Sequence, residues 1–381
     1  MRIAVDAREL APHPTGVGRY LLEILQAWTQ APGAADCEIT LLAPTDLDLA
    51  ALRLHGPSLR EAGLRGPDRR GPGARIEVRV LAGGGGTAWE QLRLPFAVLA
   101  GFDVFYGPAY SAPLFLGAPS VITVHDVSFA AHPEWFGPRE GVRRRWTCRL
   151  AAANAATVLT VSAFSRDEIV RWLGIPPRRI RVTPLGVSAR VQPPPAAPRD
   201  DAPPLVLCVG SQLNRRHLPD LVRAFAPLAH VDTRARLVIV GENRTFPRQD
   251  VAAVARDLGL GRAVEVRPWV SDDELAALYG AATTFAWLST YEGFGLPPLE
   301  AMAAGVPVVA YDTPVAREVY DTAATLISVG DVEAVAEALL ALGRDPARRA
   351  AQRDAGHRQA QRFDWARTAG ATLAALREAA R

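Results

Sequence analysis

Two glutamates, Glu292 and Glu300, bracket a glycine-broken run, Gly293-Phe294-Gly295-Leu296, within the stretch from Ser289 to Tyr311. Ionised carboxylates accept the stronger hydrogen bonds, so a pair placed this way can hold the hydroxyls of a sugar. The free N–H groups of a glycine loop and of the helix that follows it make a seat for an anion such as phosphate. Hydroxyl acceptors on both sides of a phosphate seat suit a nucleotide sugar. The plainer reading is a strand–loop–helix with two solvated glutamates. Upstream, Arg215-Arg216-His217 follows the apolar run LVLCVG. Guanidinium groups bind phosphate oxygens in pairs and stabilise charge building on a leaving diphosphate. These arginines are expected at the surface of the site, where truncation would leave folding almost unchanged.

The elements that must carry these residues are legible from pattern. Thr283 to Trp287 reads as a buried strand. Pro297 and Pro298 supply the fixed φ of a first helical turn, and the helix from Leu299 to Ala304 is expected to stop at Gly305. Val306 to Ala310 is the next strand. Strand and helix patterns alternate from end to end, which argues for α/β domains with parallel sheets. In the first half, strands are expected at 2–6, 38–43, 76–81, 103–106, 120–124 and 157–161, with a helix over 19–30. In the second, they are expected at 205–209, 236–240 and 264–267, with closing helices over 331–344 and 345–381, the last broken near Phe363. Residues 44–75 read as a surface insertion rich in Pro, Gly and Arg. The proline-dense stretch 191–204 reads as a linker between two domains.

The run EGFGLPPLE resembles the E-x7-E signature of retaining glycosyltransferases of family 4, which have the GT-B fold. That resemblance implies two Rossmann-like domains facing across a cleft. It gives an acceptor domain at 1–190, a nucleotide-sugar domain at 205–363, and a last helix, 364–381, crossing back to the first domain. It assigns Glu292 to the donor sugar, the backbone of Gly293, Phe294, Gly295 and Leu296 to sugar and diphosphate, and Glu300 to the ribose. The family usually has Arg-Lys-Asn where this chain has Arg215-Arg216-His217, and diphosphate binding by Arg216 remains the leading reading. TGVGRY resembles the loop of the first domain that touches the donor at Gly16; from the residues alone, Gly16-Val17-Gly18 is as well read as a structural turn. VHDVSF followed by HPEWF resembles the segment whose histidine, here His125, reaches the donor sugar and the reacting centre, with Asp126 a weaker candidate. Ser162, Phe164 and Ser165 match a further family segment, although the two serines also suit helix capping. The resemblance further implies retention of the anomeric configuration, no cofactor and no metal, and a nucleotide-diphosphate sugar as donor, with GDP-mannose the first choice. The departing diphosphate would help to take the acceptor's proton, and no side chain stands out as a covalent nucleophile. A saccharide or lipid-linked acceptor in surface-polysaccharide or glycolipid assembly is expected. A nucleotide-sugar 2-epimerase of the same fold, or a non-catalytic binding protein, are the alternatives.

The remaining features bound this reading. With 381 residues there is chain enough for two domains with cores of their own. The composition, 49% hydrophobic and 22% charged, is that of a globular protein. A net charge of +3 gives no argument for nucleic acid. All the basic side chains except histidine are arginine, which with the abundant Ala and Pro reads as coding bias. No apolar run reaches the roughly 18 residues of a membrane span, and MRIAVDAREL lacks the apolar core of a signal peptide, so a cytoplasmic location is expected. Cys37, Cys148 and Cys208 are too scattered for a zinc site, and inert thiols are expected. Asp46-Leu47-Asp48 is a literal D-x-D but reads as loop and cap rather than metal ligand. Arg139, Arg143, Arg144, Arg145 and Arg149 crowd one helix around Trp146. A solvated face is the plain reading, and attraction to a lipid-linked acceptor or an anionic membrane face the sharper one. The oligomeric state is not legible.

Overall fold

In the computed structural model, residues 1–11, 14, 16–54, 72–99, 101–188 and 202–381 are described. They divide into two compact units: 1–131 with 139–186 and 364–381, and 132–138 with 187–363. The segment from His132 to Pro138 thus packs with the second unit, although it lies within the stretch read above as the first domain. Most of the linker read at 191–204, and 55–71 of the insertion, lie outside the described residues.

The first unit is built on seven parallel strands: β1 (Arg2–Asp6), β2 (Glu38–Ala43), β3 (Arg75–Val80), β4 (Val104–Gly107), β5 (Ser120–Thr123), β6 (Thr157–Thr160) and β7 (Ile180–Val182), in the order β3-β2-β1-β4-β5-β6-β7. Its helices are α1 (Val17–Gln30), α2 (Leu94–Val98), α3 (Ser128–Ala131), α4 (Pro138–Asn154) and α5 (Ala163–Leu173). A π-helical turn, Trp89–Arg93, runs directly into α2. The five inner strands are buried nearly throughout, as both faces of a parallel sheet must be, while the edge strands β3 and β7 are only partly covered.

The second unit has six strands: β8 (Leu205–Val209), β9 (Arg236–Val240), β10 (Val264–Arg267), β11 (Thr284–Trp287), β12 (Val308–Tyr311) and β13 (Thr325–Ile327). They are parallel, in the order β10-β9-β8-β11-β12-β13. Its helices are α6 (Leu218–Val231), α7 (Val251–Asp257), α8 (Asp272–Ala281), α9 (Leu296–Ala303), α10 (Pro314–Val319), α11 (Val332–Arg344) and α12 (Pro346–Ala360). The last helix, α13 (Trp365–Ala379), packs in the first unit, where the Trp28 indole of α1 donates to the Ala369 carbonyl at 2.9 Å. Gly186 permits this return: a Cβ there would lie 2.2 Å from the Trp365 backbone nitrogen.

In both sheets the strand order reverses once, between β1 and β4 and between β8 and β11. The crevice at the carboxyl ends of such a pair is where open α/β sheets bind ligands. The short strands β7 and β13 were not expected from pattern, because three residues carry too little periodicity to register. Among the described residues no helix is long and apolar enough to cross a membrane.

Candidate functional site

At the reversal point of the second sheet, β8 and β11 each release a loop, and the two loops meet. After β8 the chain turns through Gly210, at φ +128°, into a 3-10 turn, Asn214–Arg216. After β11 it passes Ser289 to reach Glu292. Glu292 accepts from Arg215 Nη2 at 3.2 Å, from Arg216 Nε at 3.1 Å and from the Ser289 hydroxyl at 2.9 Å. Arg216 also donates to the Ser211 carbonyl at 2.5 Å and lies 4.3 Å from the centre of the Trp287 ring. Two guanidinium groups face one carboxylate, so the cluster keeps an excess positive charge. The side chains of Arg215, Arg216 and Glu292 are each about 10–11% exposed. The expectation that these arginines stand at the surface is therefore corrected. They are packed ions, and removing one disturbs the fold as well as the site.

His217 follows in the left-handed region, at φ +46°, and leads into α6. Asn, Asp and His are the side chains most enriched in this conformation after glycine. The departure from the family's Asn is thus conformationally conservative.

The helix of the E-x7-E stretch begins earlier than its prolines suggested. It starts at Leu296, so Pro297 and Pro298 are its second and third residues and Glu300 lies in the second turn rather than the first. Gly295 is the residue before it, at φ +85°, and its carbonyl accepts from the Tyr320 hydroxyl at 2.8 Å. Glu300 is 2% exposed, and the Tyr279 hydroxyl donates to its Oε2 at 3.4 Å. Phe294 is buried, with its ring edge-on to Phe363 at 5.5 Å. Gly305 terminates the helix at φ +76°, as expected. Beside Glu292, Tyr291 meets the stacked rings of His132 and Trp135, with 5.1 Å between the His132 and Tyr291 ring centres.

The first unit carries Gly16 and His125. Gly16, at φ +53°, precedes α1, and its carbonyl accepts from the Tyr20 amide. The true close approach belongs to Gly18, the second residue of α1, where a Cβ would lie 2.0 Å from the Glu9 carbonyl oxygen. His125 ends β5. Its Nε2 lies 3.0 Å from the Pro108 carbonyl at the end of β4. A carbonyl only accepts, so Nε2 carries the hydrogen, and Nδ1 keeps a lone pair able to accept from a hydroxyl. Tyr20 packs edge-on against the imidazole at 4.6 Å and is tied to Tyr106 and Thr123 through their hydroxyls. Desolvation lowers the His125 pKa, with the Pro108 carbonyl and Asp126 opposing it. A histidine whose folded pKa is lowered stabilises the fold above its unfolded pKa, near 6.5, and loses that contribution as pH falls below it. Acidification from pH 7 should therefore destabilise the native protein by up to about 1.4 kcal/mol per pH unit through this group. Melting temperatures of wild type and His125→Gln across that range check this: the two curves should converge as pH falls, and parallel curves would refute it.

Asp126 has a local task, accepting from the Ser128 amide and hydroxyl at 2.8 and 2.6 Å. Ser162 caps α5 by accepting from the Ser165 amide, and the Ser165 hydroxyl donates to the His125 carbonyl at 3.1 Å. Asp48 accepts from the Ala51 amide and Asp46 from that of Leu47. Among the described residues no group of three or more His, Cys, Asp and Glu is placed to hold a metal ion. All three thiols are free and buried; burial pushes Cys208 up to about 12 and raises Cys37 and Cys148 as well. Reading the residues in order missed Trp287, Gly210, Ser289 and Tyr320. Gly210 directly follows β8 at φ +128°, a conformation that favours glycine, and a Cβ there would meet Arg216 Nη1 at 2.5 Å.

Two family models cover almost the whole chain: the one described as Glycosyltransferase Family 4 matches residues 14–191, and Glycosyl transferases group 1 matches 194–359. The O-antigen chain mannosyltransferase B of Escherichia coli is 32% identical over 274 residues, which are 69% of this chain and 71% of that protein. This chain belongs to glycosyltransferase family 4. The glycosyltransferase is also 30% identical to the MMP alpha-(1->4)-mannosyltransferase of Mycolicibacterium hassiacum, over 69% of its own length and 66% of the relative's. Its fold is that of the GT-B enzymes. The sucrose-phosphate synthase of Thermosynechococcus elongatus superposes with a TM-score of 0.75 at 21% identity, covering 99% of this chain and 98% of the other. Anabaena HepE, solved with UDP and glucose, superposes with a TM-score of 0.72 at 19% identity, covering 99% of each.

Proposed function

We propose that this glycosyltransferase moves a hexose, mannose in the first instance, from a nucleotide-diphosphate sugar to a saccharide or lipid-linked acceptor with retention of configuration. The observation that carries the reading is the Arg215–Arg216–Glu292 cluster at the reversal point of the second sheet. It is a buried site with surplus positive charge, followed directly by the amino terminus of α9. A diphosphate entering there meets guanidinium donors and helix-end amides together, so charge developing on the leaving group is stabilised without solvent reorganisation. Glu292 orients both guanidinium groups and presents a carboxylate for donor hydroxyls. Gly16 and His125, both in the first unit, keep the donor-contact roles that the family resemblance gives them, His125 through its Nδ1 acceptor. The names of the Escherichia coli and Mycolicibacterium relatives support mannose, and the UDP complexes of HepE support a nucleotide diphosphate. In this reading arginines rather than a metal neutralise the diphosphate, so turnover should survive excess EDTA. A strict manganese or magnesium requirement would refute that.

The test that separates nucleotide binding from mere likeness of fold is thermal. A ligand bound only by the native state stabilises it by about 2.7 kcal/mol at a hundred times its dissociation constant. Of GDP, UDP and ADP, the matching nucleotide should raise the melting temperature by several degrees. In Arg216→Ala the free protein should melt lower, because Glu292 loses a partner, and the ligand-induced shift should shrink sharply. No shift with any of the three in wild type, or an equal shift in the variant, would sink the assignment. A screen of nucleotide sugars with the product read by mass spectrometry would then distinguish transfer from 2-epimerisation.

A further inference from the structure

Among the described residues fourteen large hydrophobic side chains are exposed, and seven of them lie on three neighbouring elements of the first unit. Leu92, Phe96 and Leu99 recur at i, i+4 and i+7 along the helical segment formed by the π turn and α2, the spacing of one helix face. Val142, Trp146 and Leu150 recur every four residues along α4. Phe115, the most open of the seven at 86%, stands on the loop between β4 and β5. Contacts at several points bring the three together. The Arg143 guanidinium reaches the Thr87 hydroxyl at 3.5 Å, the Leu114 amide donates to Gln91 at 3.0 Å, and the Asn154 amide reaches the Leu114 carbonyl at 3.4 Å. A Cβ on Gly117 would meet Leu99 at 2.9 Å. A soluble surface scatters such side chains; concentrating them marks an interaction site.

The charges around this face are of one sign. Arg93, Arg139, Arg143 and Arg149 are exposed on the same elements. The only carboxylate on α4, Glu140, is held by Arg144 at 2.9 Å. The only one on the other helical segment, Glu90, is buried and paired with Arg8. A second copy of this chain fits poorly, since a two-fold interface would set arginines against arginines. An anionic bilayer fits both features at once. Aromatic and aliphatic side chains enter the headgroup region while arginines meet lipid phosphates.

We propose that this face, formed by residues 87–99, the Phe115 loop and α4, docks the protein on anionic membrane surfaces. The docking does not depend on which nucleotide or sugar the second unit takes. It is tested by co-sedimentation of the full chain with vesicles rich in phosphatidylglycerol against vesicles of phosphatidylcholine alone. Wild type should partition to the former, and raised salt should weaken that partition. Arg143→Gln/Arg149→Gln should lower it about twenty-fivefold, near fivefold for each arginine. Phe96→Ser/Phe115→Ser should lower it independently while leaving salt dependence in what remains. Both pairs are exposed, so melting curves should match wild type and report the fold. Failure of wild type to bind anionic vesicles would overturn the proposal. So would undiminished binding by both folded variants, or a lipid-free dimer by sedimentation velocity that Phe96→Ser/Phe115→Ser dissociates.

Discussion

Glu292→Gln is expected to lower both stability and turnover more than any other single exchange in the second unit. The glutamine keeps the shape but removes the negative charge that Arg215 and Arg216 share. Leaving a buried partner uncompensated costs about 3–5 kcal/mol, which corresponds to a melting temperature lower by roughly 6–20 °C for a unit of this size. The residual charge is then wholly positive, so a nucleotide diphosphate should recover part of the loss on binding. Turnover should nevertheless stay at least tenfold down, because a hydrogen bond to a charged group is worth about 1.5–3 kcal/mol in the transition state. Calorimetry with and without nucleotide, together with product formation, reads each effect. A variant that melts and turns over like wild type would remove Glu292 from the centre of the site.

Gly295→Ala is expected to be the next most damaging exchange, and for a steric reason. The backbone there is left-handed at φ +85°, and the added Cβ would lie 1.9 Å from the Tyr320 hydroxyl oxygen. The conformation alone costs an alanine about 1–2 kcal/mol. Displacing Tyr320 forfeits its hydrogen bond to the Gly295 carbonyl, about another 0.5–1.5 kcal/mol. Tyr320→Phe deletes the clashing atom, leaving a ring carbon at 3.1 Å as the nearest contact. The double variant should therefore be more stable than the sum of the two single losses predicts. Strict additivity of the three melting free energies would show that the two residues do not meet.

Much of this architecture was legible because parallel strands buried on both faces read as unbroken apolar runs. LVLCV and RLVIV were placed to the residue for that reason. The start of α9 was not, because Gly295 already turns the chain and the prolines fall inside the first turn rather than ahead of it. The site was legible in part. Glu292, Arg215 and Arg216 could be singled out by charge and spacing. That one carboxylate would bind both guanidinium groups, 77 and 76 residues away, is a long-range fact that no local pattern encodes. The same holds for Trp287 beneath Arg216, which reads in sequence as one more apolar strand residue. The burial of the arginines was misjudged because charged side chains are rarely buried unless paired, and the pairing was not visible.

The placement of α13 bears on the order in which the chain can fold during synthesis. The second unit is nearly contiguous, ending at Phe363, whereas the first needs 364–381 to cover α1 and receive the Trp28 indole. Between translation of Gly186 and of the final helix lie some 195 codons, or ~10–40 s at typical elongation rates. For that interval the amino-terminal unit stands open on the ribosome with part of its apolar interior uncovered. The later-made unit completes first, and the earlier one is sealed only when the last helix leaves the exit tunnel. Such a chain invites chaperone attention at its beginning rather than its end.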